Sequence, residues 1–251
     1  MTLRVHDVSF SYGRFAVLRS VSFEAKPGEV TAVLGANAAG KSTLLKCVSG
    51  RLRPHGSIAL NGKEVTRMSA HDRAHAIGAM VQDTGEAARL TVLETVLLGR
   101  LHALTLKIAP EEIERALAVL RRLRIEQLAA RYLNELSGGQ RRLVMLAQAL
   151  AGDPKLLLLD EPTANLDLPN ELEALRIVRE MTAEKNLITL VTLHDLNMAS
   201  RFADAVVLMQ GGSVIREGRP EEALAPDAIE AAYGVKTRLI RDGERFVIVP
   251  V

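Results

Sequence analysis

Gly35-Ala36-Asn37-Ala38-Ala39-Gly40-Lys41-Ser42 has the spacing G-x4-G-K-[ST] and stands between a short apolar run and a stretch of helical composition. Such a loop works only if successive backbone N–H groups converge on phosphate oxygens at the positive end of a helix. The chain must therefore run strand, tight glycine turn, helix. Val30-Thr31-Ala32-Val33-Leu34 supplies the strand, Gly35 breaks it, and a helix is expected from near Lys41 to Gly50. Lys41 then brings a charge to the β and γ phosphates of a nucleoside triphosphate, and the Ser42 hydroxyl can ligate Mg2+. A glycine-rich turn of no special purpose is the alternative; the flanking strand and helix argue against it.

Two further segments add chemistry. Leu156 to Leu159 is an apolar strand that ends on Asp160 and Glu161. A buried strand ending in an acid places that carboxylate at the C-terminal edge of a sheet, where ligands bind. Asp160 can hold Mg2+ there, and Glu161 can orient or deprotonate an attacking water. Leu136-Ser137-Gly138-Gly139-Gln140 reads as a helix start, with Ser137 as cap and two glycines baring backbone N–H groups for an anion. An ordinary capped helix would look the same.

The rest of the chain sorts by period. Residues 3 to 33 read as strands and turns, with Lys26-Pro27-Gly28-Glu29 a turn, and Ser57 to Leu60 as a short strand closed by Asn61-Gly62. Between 91 and 152 the apolar residues recur at helical spacing, Pro110-Glu111-Glu112 opens a helix, and another fits Gly139 to Ala151. After Pro154, strand and helix alternate again: Lys155 to Leu159, Glu171 to Glu184, Leu187 to Thr192. That alternation argues for a largely parallel sheet, and Val206–Met209 with Val214–Glu217 suggests a closing hairpin at Gly211-Gly212.

Composition excludes several classes. The 251 residues carry 32 basic and 30 acidic side chains, a net charge of +2 that does not favour a nucleic-acid partner. Aromatics are 3% with no tryptophan, so platforms for stacking bases are not expected. Cys47 is the one cysteine, which precludes an intrachain disulfide and fits a reducing compartment. The N-terminus lacks the apolar core of a signal peptide, and no apolar run approaches the roughly 20 residues of a membrane helix. Work at a membrane would need another chain to cross it.

Taken together and in this order, Gly35–Thr43, Leu136–Gln140 and Leu159-Asp160-Glu161-Pro162-Thr163 resemble the nucleotide-binding subunit of ATP-binding-cassette (ABC) transporters. The resemblance covers nearly the whole chain. It implies an α/β fold: a phosphate-loop NTPase core with a mostly parallel sheet, an N-terminal antiparallel β subdomain and an inserted helical subdomain. One ABC ATPase domain would span 1–251, with 1–82 and 153–251 as the nucleotide-binding core and 83–152 as the helical signature subdomain. Gly35, Asn37, Ala38, Ala39, Gly40, Lys41, Ser42 and Thr43 would contact ATP. Tyr12 resembles the aromatic that stacks on adenine, and Gln82 the glutamine that meets Mg2+ or water and links to the helical lobe. Asp167 resembles the aspartate that touches the opposing subunit, and His194 the histidine that hydrogen-bonds the γ-phosphate. Lys41, Gln82, Glu161 and His194 would be catalytic, and Ser42, Gln82 and Asp160 would hold Mg2+. Ser137, Gly138, Gly139 and Gln140 would serve the nucleotide of a second copy, in a head-to-tail homodimer.

The absence of fused membrane spans favours an importer with separate permease subunits. Such a chain would lie on the cytoplasmic face of the inner (plasma) membrane, fed indirectly by a periplasmic or extracellular substrate-binding protein. Leu90–Arg100, Leu193-His194-Asp195-Leu196-Asn197 and Tyr233-Gly234-Val235 resemble subunits importing iron–siderophore, haem or cobalamin. Arg141-Arg142 directly after Gln140 leans toward siderophores. Manganese or zinc importers, a soluble ATPase of the same superfamily, and a regulator without turnover are the other readings. Two residues depart from the family: Ala36 stands where proline is usual, and Ala38 where glycine is usual. Ala38 costs energy only if its backbone needs positive φ. Arg141-Arg142 read as exposed helix positions, and His71 and His75 as a solvated helix face. Residues 83–105 are expected to dock a membrane partner, with Asp83, Gly85 and Gly99 as hinge-compatible ends, Leu90, Leu93, Leu97 and Leu101 as an apolar stripe, and Glu86, Arg89 and Arg100 as exposed contacts.

Overall fold

The computed structural model describes residues 2–80, 89–100, 108–243 and 245–251. Gln82, Asp83, Gly85, Glu86 and Leu101 lie outside the described residues. The chain opens on an antiparallel hairpin, β1 (Leu3–Tyr12) and β2 (Phe15–Ala25), whose Leu3, Val5, Val8, Val21 and Phe23 face inward. β3 (Val30–Leu34) follows, buried at every position, and the glycine loop carries it into α1 (Lys41–Val48). β4 (His55–Leu60) and the two-residue β5 (Lys63–Glu64) complete an antiparallel sheet ordered β2-β1-β4-β5. Ser69 caps α2 (Ala70–Ala76), which feeds β6 (Ile77–Met80).

Three helices come next. α3 (Val92–Leu98) starts on a reciprocal cap between Thr91 and Glu94, α4 (Pro110–Arg122) on Pro110 in its first turn, and α5 (Gly138–Ala151) on Ser137. Strand and helix then alternate: β7 (Leu156–Asp160), α6 (Leu168–Glu184), β8 (Ile188–Thr192), α7 (Leu196–Phe202), β9 (Ala205–Gln210) and β10 (Ser213–Gly218). The chain closes with α8 (Pro220–Ala223), α9 (Pro226–Tyr233) and a separate hairpin, β11 (Thr237–Asp242) and β12 (Arg245–Pro250). None of these last four elements is signalled by the sequence patterns above.

The larger sheet has the order β10-β9-β3-β8-β7-β6, parallel from β9 through β6, with β10 antiparallel at the edge. β3, β7 and β8 are buried at every position, with only threonines and the terminal Asp160 interrupting their apolar runs, because both sheet faces are covered. One core cluster packs α3–α7 against one face, and the other fills the space between the opposite face, α1 and the antiparallel sheet. Since β3, β8 and β7 are parallel neighbours, their C-terminal ends emerge side by side. Those ends carry the glycine loop, His194 and Asp160-Glu161.

Two expectations for the 83–105 segment are overturned. Arg100 is not an exposed docking residue: it is 3% exposed, its Nη1 donates to the Ala151 carbonyl and lies 3.2 Å from Asp153 Oδ2, and its Nε pairs with Glu112. Gly99 is not a free hinge. Its φ is −62°, and a Cβ there would lie 2.0 Å from the Gln148 carbonyl oxygen, so glycine is required by the close approach of α3 and α5. Arg89 is exposed as expected.

Candidate functional site

The loop after β3 is shaped by its glycines. At Gly35, φ is 147° and a Cβ would fall 2.3 Å from the Met209 carbonyl oxygen; at Gly40, φ is 101° and a Cβ would meet Leu18 at 2.9 Å. Gly40 begins α1 without any side-chain cap and no acid occupies the first turn, so the first N–H groups of α1 are left for an anion. Asn37 and Ala38 form the exposed tip, while Ala39 is buried. Ser42 and Thr43 are half-buried in the first turn of α1.

Ala38 sits at φ 63°, so the condition for a cost is met: an L-residue there is strained by about 1–2 kcal/mol. An Ala38→Gly chain should unfold about 1 kcal/mol later in urea, with the same or tighter ATP affinity, because glycine adopts this conformation freely. A lower unfolding midpoint for that variant would contradict the strain.

Lys41 is buried and folds over its own loop, its Nζ donating to Gly35 O at 2.7 Å and Ala36 O at 3.1 Å. Burial lowers its ammonium below the ordinary lysine value, opposed by the carboxylates of Glu161 and Asp160. Asp160 is 1% exposed; its Oδ1 accepts from Thr192 Oγ1 at 2.8 Å, and its Oδ2 is buried with no hydrogen-bond partner. An orphaned carboxylate oxygen at a sheet edge suits a hard cation that takes oxygen ligands. Mg2+ bound through few protein groups, with Ser42 as the second, therefore fits these residues.

Glu161 follows with φ 50°, a left-handed position for a side chain that rarely adopts it. Its N–H donates to Thr192 Oγ1 at 2.8 Å, and its Oε1 lies 2.7 Å from His194 Nε2. The sheet edge thus brings together Lys41, Asp160, Glu161 and His194. Thr192, which ties Asp160 to Glu161, was not singled out from sequence. Its register opposite Asp160 across β7 and β8 is the signal that marks it.

Ser137–Gln140 form a second place. Ser137 Oγ accepts from Gln140 N at 3.2 Å and Ser137 N donates to Gln140 Oε1 at 3.1 Å, so Gln140 turns back to close the cap. Gly138 is exposed, and Gly139 packs on the 165–166 segment, where a Cβ would meet Leu166 at 3.0 Å. Asp167 caps α6, accepting from Asn170 N at 3.3 Å. These residues line an open cleft of about 540 Å³. Among the described residues, no hydrogen bond joins this cleft to Lys41 or Ser42. Tyr12, at the tip of β1, is 47% exposed and meets Phe10 edge-on, with ring centroids 4.9 Å apart. Gln82 lies outside the described residues.

Two more contacts were not legible beforehand. Tyr233 Oη accepts the N–H of Gly35 at 2.9 Å across 198 residues of sequence, and Arg142 turns inward onto the backbone of Asp160 and Glu161. Arg142 is therefore not the exposed helix position that its neighbour Arg141 is.

The chain is similar to a set of known proteins over nearly its whole length. The family described as ABC transporter matches residues 18–164. An uncharacterised ABC transporter ATP-binding protein of Methanocaldococcus jannaschii is 38% identical, covering 100% of this chain and 98% of that protein. A hemin import ATP-binding protein of Roseobacter denitrificans is 35% identical (95% and 93% covered), and the ferric enterobactin transport ATP-binding protein of Escherichia coli 32% (96% and 90%). Among solved structures, a chain of a transporter assigned to the metal-chelate type, in an inward-facing conformation, superposes with a TM-score of 0.84 at 29% identity, covering 100% of this chain and 97% of that one. A bacterial ABC transporter cassette solved as a dimer gives 0.79 at 28% identity, covering 87% and 98%.

Proposed function

The chain belongs to the ABC transporter family, as an ATP-binding subunit whose hydrolysis of ATP is coupled to transport, and from that premise we propose that it powers import of a metal chelate, an iron–siderophore complex, through separate permease subunits. The observation that carries the ATPase chemistry is the meeting of Lys41, the unpartnered Asp160 oxygen and the His194-held Glu161 at one sheet edge. The hemin and ferric enterobactin relatives, and the metal-chelate type of the structural neighbour, support the substrate class. Among the described residues no helix is long and apolar enough to cross a membrane, which fits a subunit docked on permeases at the cytoplasmic face.

In this reading Tyr12 stacks on adenine, and the 35–43 loop wraps the phosphates with its N–H groups. Lys41 exchanges its two carbonyl partners for β and γ phosphate oxygens. Ser42, Asp160 and Gln82 would hold Mg2+, which would supply charge neutralisation at the phosphates. Glu161 takes the proton of the water whose oxygen attacks the γ-phosphorus, as the bond to the β-phosphate oxygen breaks. His194 Nε2 fixes the carboxylate of Glu161 and reaches the γ-phosphate. Ser137, Gly138 and Gly139 of a second copy close the site head-to-tail, with Gln140 shaping that helix start and Asp167 facing the opposite copy. We assign 1–82 and 153–251 to the nucleotide-binding core and 83–152 to the helical signature subdomain.

Reconstitution with its permeases and binding protein tests the substrate. Vesicles should accumulate ferric siderophore with ATP, and not free Mn2+ or Zn2+; the reverse preference would overturn the iron-chelate reading. Lys41→Ala should weaken ATP binding by about tenfold or more, because a charge-assisted contact of roughly 1.5–3 kcal/mol is lost already in the ground state. Equal affinity in a titration would reject that role for Lys41.

A further inference from the structure

We propose that Arg142 is a positioning residue for Glu161, holding the Glu161 peptide in its left-handed conformation so that the carboxylate faces His194 and the phosphates; this rests on the reading of Glu161 as general base. Arg142 belongs to α5, one turn beyond Gly138, and it is half-buried while Arg141 is exposed. Its Nε donates to Glu161 O at 2.8 Å, and its Nη2 donates to Asp160 O at 2.9 Å and also to Glu161 O. The planar fork is matched to two successive carbonyls, a geometry a point charge does not reproduce. Among the described residues no carboxylate forms an ion pair with it. Its charge is spent on main-chain oxygens at the C-terminal end of β7, although burial works against that charge.

The need for such a clamp lies in Glu161 itself. A non-glycine residue at φ 50° persists only when its surroundings over-determine it. Four contacts do so here: Thr192 on the N–H, Arg142 and the Ala164 N–H (3.2 Å) on the carbonyl, and His194 on the carboxylate. Thr192 belongs to β8 and is fixed by the sheet. Arg142 is the contact that comes from α5, the helix whose first turn is Ser137–Gln140. Without it, the Glu161 carbonyl keeps only the longer bond from Ala164 N, and the 161 peptide can relax toward negative φ, which redirects the side chain away from the water it must deprotonate.

Purified full chain carrying Arg142→Met or Arg142→Lys tests this, with kcat and KM for ATP measured beside urea unfolding. Misplacing a catalytic group by about 1 Å costs on the order of a hundredfold. Arg142→Met should lose about tenfold to a hundredfold in kcat per folded molecule, with KM nearly unchanged. Arg142→Lys should recover part of it, one donor replacing a fork. In a Glu161→Gln background, Arg142→Met should bring no further loss, because both act through one carboxylate. Wild-type kcat in Arg142→Met, or a further loss in that background, overturns the proposal while leaving Glu161 as base. Normal turnover in Glu161→Gln overturns both.

Discussion

Glu161→Gln is expected to bind ATP as tightly as the unaltered chain and to lose turnover by about 10²–10⁴-fold. The substitution is nearly isosteric, and the backbone contacts that hold residue 161 are indifferent to it: Thr192 still accepts the N–H, and Arg142 still donates to the carbonyl. An amide oxygen can still receive His194 Nε2, so the loop keeps its shape. What the amide cannot do is accept a proton from water. With hydrolysis blocked, the closed state should accumulate, and gel filtration should show a dimer with Mg-ATP and a monomer with ADP. Turnover within a few-fold of the unaltered chain would remove Glu161 from the chemistry. A variant that stays monomeric at saturating Mg-ATP, even with its membrane partner, would count against the head-to-tail site.

Much of this site was legible because it lies where periodicity changes. A mostly apolar strand that stops on a glycine or an acid marks a buried parallel strand reaching the sheet edge, and Leu34-Gly35 and Leu159-Asp160 have those forms. Glycine positions are legible for the same reason: Gly35 and Gly40 stand where a side chain cannot fit. The left-handed conformation of Ala38 was legible only as a condition, since alanine itself signals nothing about φ. Contacts between residues far apart in sequence carried no local signal. Tyr233 reaches Gly35 only because α9 packs beside β9, a consequence of topology. The hairpin of β11 and β12 is held partly by Asn197, which exchanges hydrogen bonds with the Ile248 backbone at 2.8 and 3.3 Å. No pattern within residues 237–250 announces that partner.

Arg100 shows how a charged residue misleads when read locally, and it carries the second large expectation. From sequence it ends an apolar helical stripe beside a glycine, as an exposed contact would. In the fold its guanidinium is enclosed by Glu112 from α4 and by Ala151 and Asp153 at the end of α5, so one cation joins three helices. Breaking a buried pair by removing one partner costs about 3–5 kcal/mol, because the other charge stays buried and uncompensated. Glu112, whose side chain is only 15% exposed, would lose its buried guanidinium partner and keep the more exposed Arg115 at 3.9 Å. Arg100→Met should therefore lower the melting temperature by roughly 10 °C in a chain of this length. The acid limb of its stability should shallow as well. Burial alone would raise the Asp153 carboxyl, but Lys185 and Arg100 hold it below the ordinary aspartate value. A carboxyl lowered on folding adds stability above its unfolded value and loses it as pH falls through the lowered folded one. Removing Arg100 takes away part of that contribution, so the variant should lose less between pH 5 and pH 3 than the unaltered chain. Arg100→Glu should be worse than Arg100→Met, with three carboxylates facing one another. If Arg100→Glu instead melts normally and only transport fails, Arg100 is a surface docking residue and the buried cluster does not hold these helices together.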